Sequence, residues 1–171
     1  RCCSSAASDV YKRQGFASMI NPSVGVLYAE GNFACVSIDL LADGRLRVGA
    51  QSADCGTSQN TVIGQIFAEE LGLDADRIDV LHMDTEVTPP DLGSAASRVT
   101  FVTGNAAIKT AKTFRATLAE RLAAHWDVPV DEIDFDDGIV SHRVDNARRL
   151  TLEEVAALEG PLRVEDRHEI D

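Results

Sequence analysis

A long amphipathic stretch that begins at Gly104 restricts the fold more than any other part of the chain. Apolar residues recur there at spacings of three and four over about five turns, the period of a helix with one buried face. They are Ala107, Ile108, Ala111, Phe114, Leu118 and Leu122. We expect this helix to end near His125 and Trp126, because Pro129 cannot continue it.

Strand patterns precede this helix. Residues 33–40 (FACVSIDL) alternate between apolar and polar, which predicts a half-buried strand. The turn signal at 42–44 (ADG) predicts a hairpin to a returning strand over 46–50. A helix closed by Gly72 follows, and then a strand over 78–83 (IDVLHM). This order indicates a βαβ-like or α+β unit, in which His82 is interpreted as a structural histidine.

The last third of the chain predicts smaller elements. A second hairpin is expected over 132–143, and its acidic turn lacks the spacing of a calcium-binding loop. Thr151 caps a short helix over 152–158, with Glu154 at the capping-box position. The charged end, 163–171, is interpreted as a solvent-exposed connector or a cut point. The fold class is therefore α+β, with mixed strands, two main amphipathic helices and β-hairpins.

Residues 1–14 (RCCSSAASDVYKRQ) show no periodicity, no turn logic and no apolar signal-peptide core. They are interpreted as non-native read-through, with a natural, poorly ordered tail as the alternative. Residues 15–171 then belong to the folded domain, and we expect that the complete domain is larger than this segment.

Composition excludes several classes of partner. The formal net charge is −12 and no basic run occurs, which disfavours nucleic acid and anionic membrane surfaces. The apolar runs are shorter than the roughly 20 residues that a membrane span needs. The four cysteines show no C-x-x-C spacing, so neither a zinc site nor a disulfide framework is predicted. A reducing, cytoplasmic setting fits these features.

Two loops are candidates for binding. Residues 84–100 (DTEVTPPDLGSAASRVT) combine a double proline, a glycine and small side chains, which allow close approach of a ligand to the backbone. Residues 54–61 (DCGTSQNT) place a glycine turn before a helix, where free N–H groups can bind an anion or a polar ligand. The alternatives are plain punctuation for the first loop and plain helix capping for the second. Cys55 has no histidine nearby in sequence to activate it.

Taken together, residues 48–72 and 84–106 resemble, in order and spacing, the molybdopterin-binding subunit of the xanthine dehydrogenase and aldehyde oxidase family. The version SRVT at 97–100 and the segment GFAS at 15–18 are most similar to the branch that contains 4-hydroxybenzoyl-CoA reductase. This resemblance implies that the chain is an internal fragment of a much longer subunit, and that it is not active alone.

The resemblance also implies a function. The family comprises oxidoreductases that act on an aldehyde, an N-heterocycle or an aromatic acyl-CoA, with water as the oxygen source in hydroxylation. The expected cofactor is molybdopterin, in its cytosine dinucleotide form, and [2Fe–2S] clusters and FAD are expected on partner subunits or domains. The alternatives are a non-catalytic α+β binding domain and a pseudo-subunit that has lost the cofactor.

By the same resemblance, seven residues are candidates for cofactor binding. They are Gly56, Thr57, Gly93, Ser94, Ala95, Ala96 and Ser97. Many family members carry Gly-Gln-Gly at the glycine turn, and that glutamine reaches a molybdenum ligand. Here Thr57 replaces it with a shorter side chain that has one donor. No catalytic residue and no metal ligand is predicted, because no glutamate stands in the Gly-Glu context of the family's general base.

Overall fold

The computed structural model describes residues 17–19, 31–81 and 83–170. The interpretation of residues 1–14 as read-through and the role given to His82 therefore lie outside the described residues.

A four-stranded sheet forms the centre of the fold. Strands β1 (Asn32–Leu40) and β2 (Leu46–Ala50) form an antiparallel hairpin in which Leu40 pairs with Leu46, as the turn at 42–44 predicted. Strand β3 (Ile78–Leu81) lies parallel to β2. Helix α1 (Gln59–Leu71) connects these two strands, so the predicted βαβ-like unit is confirmed.

Helix α2 (Gly104–Trp126) packs across this sheet and against α1. One π-helical turn, Val99–Thr103, precedes it. The predicted apolar face is the buried face: Ala107, Ala111, Phe114, Leu118 and Leu122 are each at most 2% exposed. Ile108 is only partly buried. The end of α2 at Trp126 agrees with the sequence prediction, and Asp127 closes the helix in a left-handed conformation.

A second, smaller sheet follows, with strands β4 (Ile133–Asp136), β5 (Ile139–His142) and β6 (Arg149–Thr151) in sequential order. Helix α3 (Leu152–Glu159) begins with the predicted capping box. Glu154 N–H donates to Thr151 Oγ1 at 3.3 Å, and Thr151 N–H donates to Glu154 Oε2 at 2.7 Å. The bond from the Thr151 N–H, together with one from Thr151 Oγ1 to the same oxygen at 3.0 Å, favours the ionised carboxylate and lowers the pKa of Glu154.

The charged end of the chain is a strand, so its interpretation as a connector was wrong. Strand β7 (Leu162–Ile170) pairs antiparallel with β1 over nine residues and gives the large sheet the order β3-β2-β1-β7. Leu162 and Val164 point into the core. Charged residues alternate with them on the solvent side, where Arg163 Nη1 lies 3.0 Å from Asp39 Oδ2. Because most residues of this segment are charged, the alternation of buried and exposed positions that is typical of a strand was not recognised in the sequence.

The prediction of a half-buried β1 was also wrong, because the strand is covered on both faces. Cys35 is 7% exposed and Ser37 is fully buried, although both lie on the side predicted to be polar. Thr88 and Pro89 are buried and lie over this side, against Gly49 of the neighbouring strand. The loop after β3 thus closes over the second face of the sheet. In the described part of the chain, no helix has the length and apolar character to cross a membrane.

Candidate functional site

The two loops identified in the sequence meet at one open cavity of about 390 Å³. This volume lies within the range of about 300–1,000 Å³ that is typical of small-molecule sites. The lining residues come from the turn before α1 and from the loop before α2. They are Cys55, Thr57, Gln59, Ser94, Ala95, Ala96, Ser97, Arg98, Val99 and Thr100.

Five of the seven predicted residues line this cavity, and the two glycines lie beside it. Gly56 and Gly93 have φ angles of +87° and +83°, a conformation that L side chains rarely adopt. A Cβ atom added to either glycine would meet no atom within 4 Å. These glycines therefore serve the backbone path of the two loops rather than relieve a steric contact within the chain.

The glycine turn does not present free N–H groups, so that expectation was wrong. Asp54 Oδ1 accepts hydrogen bonds from the N–H groups of Gly56, Thr57 and Ser58 at 2.9, 3.0 and 3.2 Å. Ser58 stands at the N-cap in a left-handed conformation and makes no side-chain cap. The carboxylate therefore occupies the N–H groups of the turn itself, and its charge offsets the positive end of the helix dipole.

A side chain that the sequence did not single out joins the two loops. Gln59, in the first turn of α1, is 5% exposed, and its Nε2 lies 3.1 Å from Ser94 Oγ. The Ser94 hydroxyl also lies 2.7 Å from the carbonyl oxygen of Ala53. Ser94 thus forms hydrogen bonds with residues on both sides of the glycine turn, Ala53 before it and Gln59 after it. In the sequence, the signal that could have identified Gln59 is its polar side chain beside the glycine turn.

Arg98 anchors the second loop from inside the protein. Its side chain is fully buried, and its Nη1 donates to the carboxylate of Asp91 and to the Gly93 carbonyl at 2.8 Å. Nε donates to Asn32 Oδ1 at 2.9 Å, and Nη2 donates to the Phe33 carbonyl. The guanidinium group therefore ties the small-residue loop to β1. The sequence motif contained Arg98, but nothing in its local context gave it this role.

Asp91 completes the anchor. It forms an isolated antiparallel bridge with Ala34 of β1, and its carboxylate also accepts the Gly93 N–H at 2.8 Å. Thr103 Oγ1 lies 3.3 Å from the same carboxylate. Buried charges are tolerated when they are paired and hydrogen-bonded, and here each guanidinium nitrogen and both carboxylate oxygens have a partner.

The walls of the cavity are close to electrically neutral. Arg98 is the one charged residue of the lining, and Asp91 balances its charge. Ala96 and Ser97 adopt left-handed conformations in succession, with φ angles of +48° and +54°. In the described residues, no group of three or more His, Cys, Asp or Glu side chains could hold a metal ion. The site offers a ligand small side chains, hydroxyl groups, a carboxamide and a thiol.

The two described cysteines should differ sharply in reactivity. Cys35 is buried in β1, and burial raises the pKa of its thiol, an effect that Arg167 partly opposes. Cys55 is exposed at the cavity. Because the thiolate is the reactive form, we expect iodoacetamide to modify Cys55 in the native chain and Cys35 only after unfolding. Peptide mapping by mass spectrometry measures both rates, and similar native rates would contradict the buried position of Cys35.

Comparison with known proteins identifies the family to which this chain belongs. A sequence model of the molybdopterin cofactor-binding domain matches residues 6–170. The chain is 33% identical over 133 residues to the 6-hydroxypseudooxynicotine dehydrogenase complex subunit gamma of Paenarthrobacter nicotinovorans, covering 77% of the chain and 16% of that protein. It is 34% identical over 103 residues to the carbon monoxide dehydrogenase large chain of Hydrogenophaga pseudoflava, covering 59% and 13%.

Solved structures share the fold. The reconstituted CO dehydrogenase from Oligotropha carboxidovorans aligns with a TM-score of 0.71 and 22% identity, covering 81% of the chain and 18% of that structure. Quinoline 2-oxidoreductase from Pseudomonas putida 86 aligns with a TM-score of 0.66 and 19% identity, covering 80% and 19%. The chain therefore spans less than a fifth of the length of each of these proteins.

Proposed function

Because the chain belongs to the family of molybdopterin cofactor-binding domains, we propose that its cavity holds part of a molybdenum cofactor. The observation that carries this proposal is the convergence of the two loops on one cavity. Ser94, Ala95, Ala96 and Ser97 form one wall, and Thr57 lies on the other. Gly56 and Gly93 shape the backbone of the two walls.

The character of the walls favours one part of the cofactor. A phosphate group is bound most strongly by free N–H donors or a free cation, and here Asp54 occupies the N–H groups of the turn. The guanidinium of Arg98 is likewise committed to Asp91. Small neutral side chains suit a flat, polar heterocycle instead. We therefore assign the cavity to the pterin and metal end of the cofactor, which we take to be the cytosine dinucleotide form.

The wider activity follows from this assignment. When bound, such a cofactor supplies two-electron oxidation or reduction at a carbon centre, with water as the oxygen source in hydroxylation. We propose that this chain contributes cofactor-pocket loops to an oxidoreductase acting on an aldehyde, an N-heterocycle or an aromatic acyl-CoA. The chain's own residues bind and orient the cofactor, and none is assigned to proton transfer. Partner subunits or domains would carry [2Fe–2S] clusters and FAD, in a cytoplasmic complex.

A second candidate is a pseudo-subunit without cofactor. It is favoured by the short Thr57 side chain and by the carboxylate of Asp54 in the turn. Molybdenum content separates the two candidates, because only the first requires the complete subunit to contain the metal.

The proposal is tested by filling the cavity. In the complete subunit that carries this sequence, produced with its partner subunits, we expect Ala96→Phe to lower molybdenum and pterin content at least about tenfold, a loss of about 1.4 kcal/mol in binding. The new side chain would occupy cavity space that Ala96 leaves open. Metal analysis and fluorescence of the oxidised pterin measure the content.

Two controls accompany this variant. Ala96→Gly keeps the cavity open and suits the left-handed backbone at this position, so its cofactor content should stay normal. Ala124→Phe adds the same ring at an exposed position of α2, away from the cavity. Unchanged molybdenum in Ala96→Phe would refute the assignment, and a wild-type subunit without molybdenum would favour the pseudo-subunit.

A further inference from the structure

We propose that Gln59 is a recognition residue, whose side-chain carbonyl accepts a hydrogen bond from an N–H or O–H group of the molecule in the cavity. This inference rests on the proposed function, since that molecule is taken to be the pterin of the cofactor. Gln59 is not among the residues that the sequence motifs assign to the site.

The position of Gln59 is the first argument. Its side chain lines the cavity from the first turn of α1, yet the residue is only 5% exposed. A buried carboxamide is held in place by packing, so its polar atoms point in fixed directions. Thr57 offers only a hydroxyl group to the same cavity and stands on the exposed part of the turn.

A count of hydrogen atoms supplies the second argument. The Ser94 oxygen lies 2.7 Å from the Ala53 carbonyl oxygen and 3.2 Å from Gln59 Oε1, and both are acceptors. A serine hydroxyl has a single hydrogen, which goes to the closer oxygen. Ser94 then accepts the hydrogen bond from Gln59 Nε2 at 3.1 Å.

Gln59 Oε1 is therefore left without a donor. Within the described residues, the Ser94 hydroxyl is the one donor within hydrogen-bond distance of that oxygen, and its hydrogen is already used. A buried carbonyl without a partner destabilises the protein unless water or a ligand provides a hydrogen. Because this carbonyl belongs to a residue that lines the cavity, the ligand is the natural source.

The requirement for a donor defines the class of ligand. A pterin carries amide and amino N–H groups along one edge, and these groups can meet a carboxamide in plane. A carboxylate, or the pyrophosphate group of a dinucleotide, has no hydrogen to donate at neutral pH and would be repelled by the same oxygen. Gln59 thus favours the heterocycle over the phosphate, which agrees with the neutral walls of the cavity.

Substitution at Gln59 tests the inference in the complete subunit with its partners. Gln59→Leu removes the acceptor, and we expect molybdenum and pterin content to fall at least tenfold. Gln59→Glu keeps acceptor oxygens, so its content should lie clearly above that of Gln59→Leu. Gln65→Leu, on the exposed side of the same helix, is the matched control and should equal the wild type. Thermal unfolding of the cofactor-free forms reports on folding.

The Ser94→Ala variant separates recognition from structure. It removes the bond between the loops but keeps the Gln59 carbonyl, so its loss of cofactor should be smaller than that of Gln59→Leu. If Gln59→Leu does not fold, Gln59→Asn replaces it, because it withdraws the amide from the cavity by one methylene. Equal losses in Ser94→Ala and the Gln59 variant would overturn the inference in favour of a structural link.

Failure of the inference is distinct from failure of the proposed function. If Ala96→Phe loses the cofactor while Gln59→Leu matches Gln65→Leu within twofold, the cavity binds the cofactor without Gln59. If Ala96→Phe also retains the cofactor, the proposed function itself is refuted, and the inference with it.

Discussion

Replacing Arg98 with methionine is expected to destabilise the chain by about 3–5 kcal/mol, the range measured when one partner of a buried ion pair is removed. The substitution leaves the Asp91 carboxylate buried without its counter-charge. It also removes the donor from the carbonyl groups of Phe33 and Gly93 and from Asn32 Oδ1. Urea denaturation of the 171-residue chain measures the change in the free energy of unfolding.

Two further variants show whether this effect belongs to the buried pair. Arg149→Met removes the same charge at an exposed position of β6 and should change stability by less than about 0.5 kcal/mol. The double variant Arg98→Met with Asp91→Leu should recover part of the loss, because no unpaired charge remains. Equal denaturation midpoints for wild type and Arg98→Met would show that Arg98 does not anchor the loop.

Replacing Val164 with aspartate is expected to cost at least about 3 kcal/mol, because it removes a buried apolar side chain and places a carboxylate in the core. Val164 is 8% exposed and pairs with Ile38 of β1, which is fully buried. Glu165→Gln alters the charge at the exposed neighbouring position and serves as the control. Thermal or urea unfolding measures both changes.

This experiment separates the strand β7 from the connector that the sequence predicted. In a connector, Val164→Asp and Glu165→Gln would each leave stability nearly unchanged. If the segment is a strand, the free energies of unfolding of the two variants should differ by most of the expected loss of about 3 kcal/mol. An unaltered unfolding midpoint in Val164→Asp would therefore restore the sequence interpretation.

The elements that the sequence located correctly depend on short-range patterns. Helical periodicity placed α2 and its buried face, and Pro129 marked its end. The turn at 42–44 located the first hairpin, and the pair Thr151 and Glu154 located the start of α3. The pairing of β7 with β1 joins residues more than 120 positions apart, as in the contact of Arg163 with Asp39. No local period reveals such a partner.

The candidate site, too, could be predicted only in part from the sequence. The residue types and their spacing singled out both loops, because glycine and small side chains have a direct meaning for backbone conformation. The use of the turn's N–H groups by Asp54 was not visible, since an aspartate near a glycine is equally compatible with an exposed side chain. The burial of Arg98 was also not visible, because arginine is usually exposed and becomes buried only with a partner such as Asp91.

By itself, the sequence determined the helices, the hairpins, the two loops and the family that they resemble. These features depend on local conformational preferences and on the spacing of residues that are close together along the chain. Only the tertiary structure decided that the two loops share one cavity, and that Gln59 and Ser94 meet across 35 positions. It also decided that Arg98 reaches Asn32 across 66 positions. The physical reason is that burial and hydrogen-bond partnership are properties of the packed chain, in which distant residues compete for the same donors and acceptors.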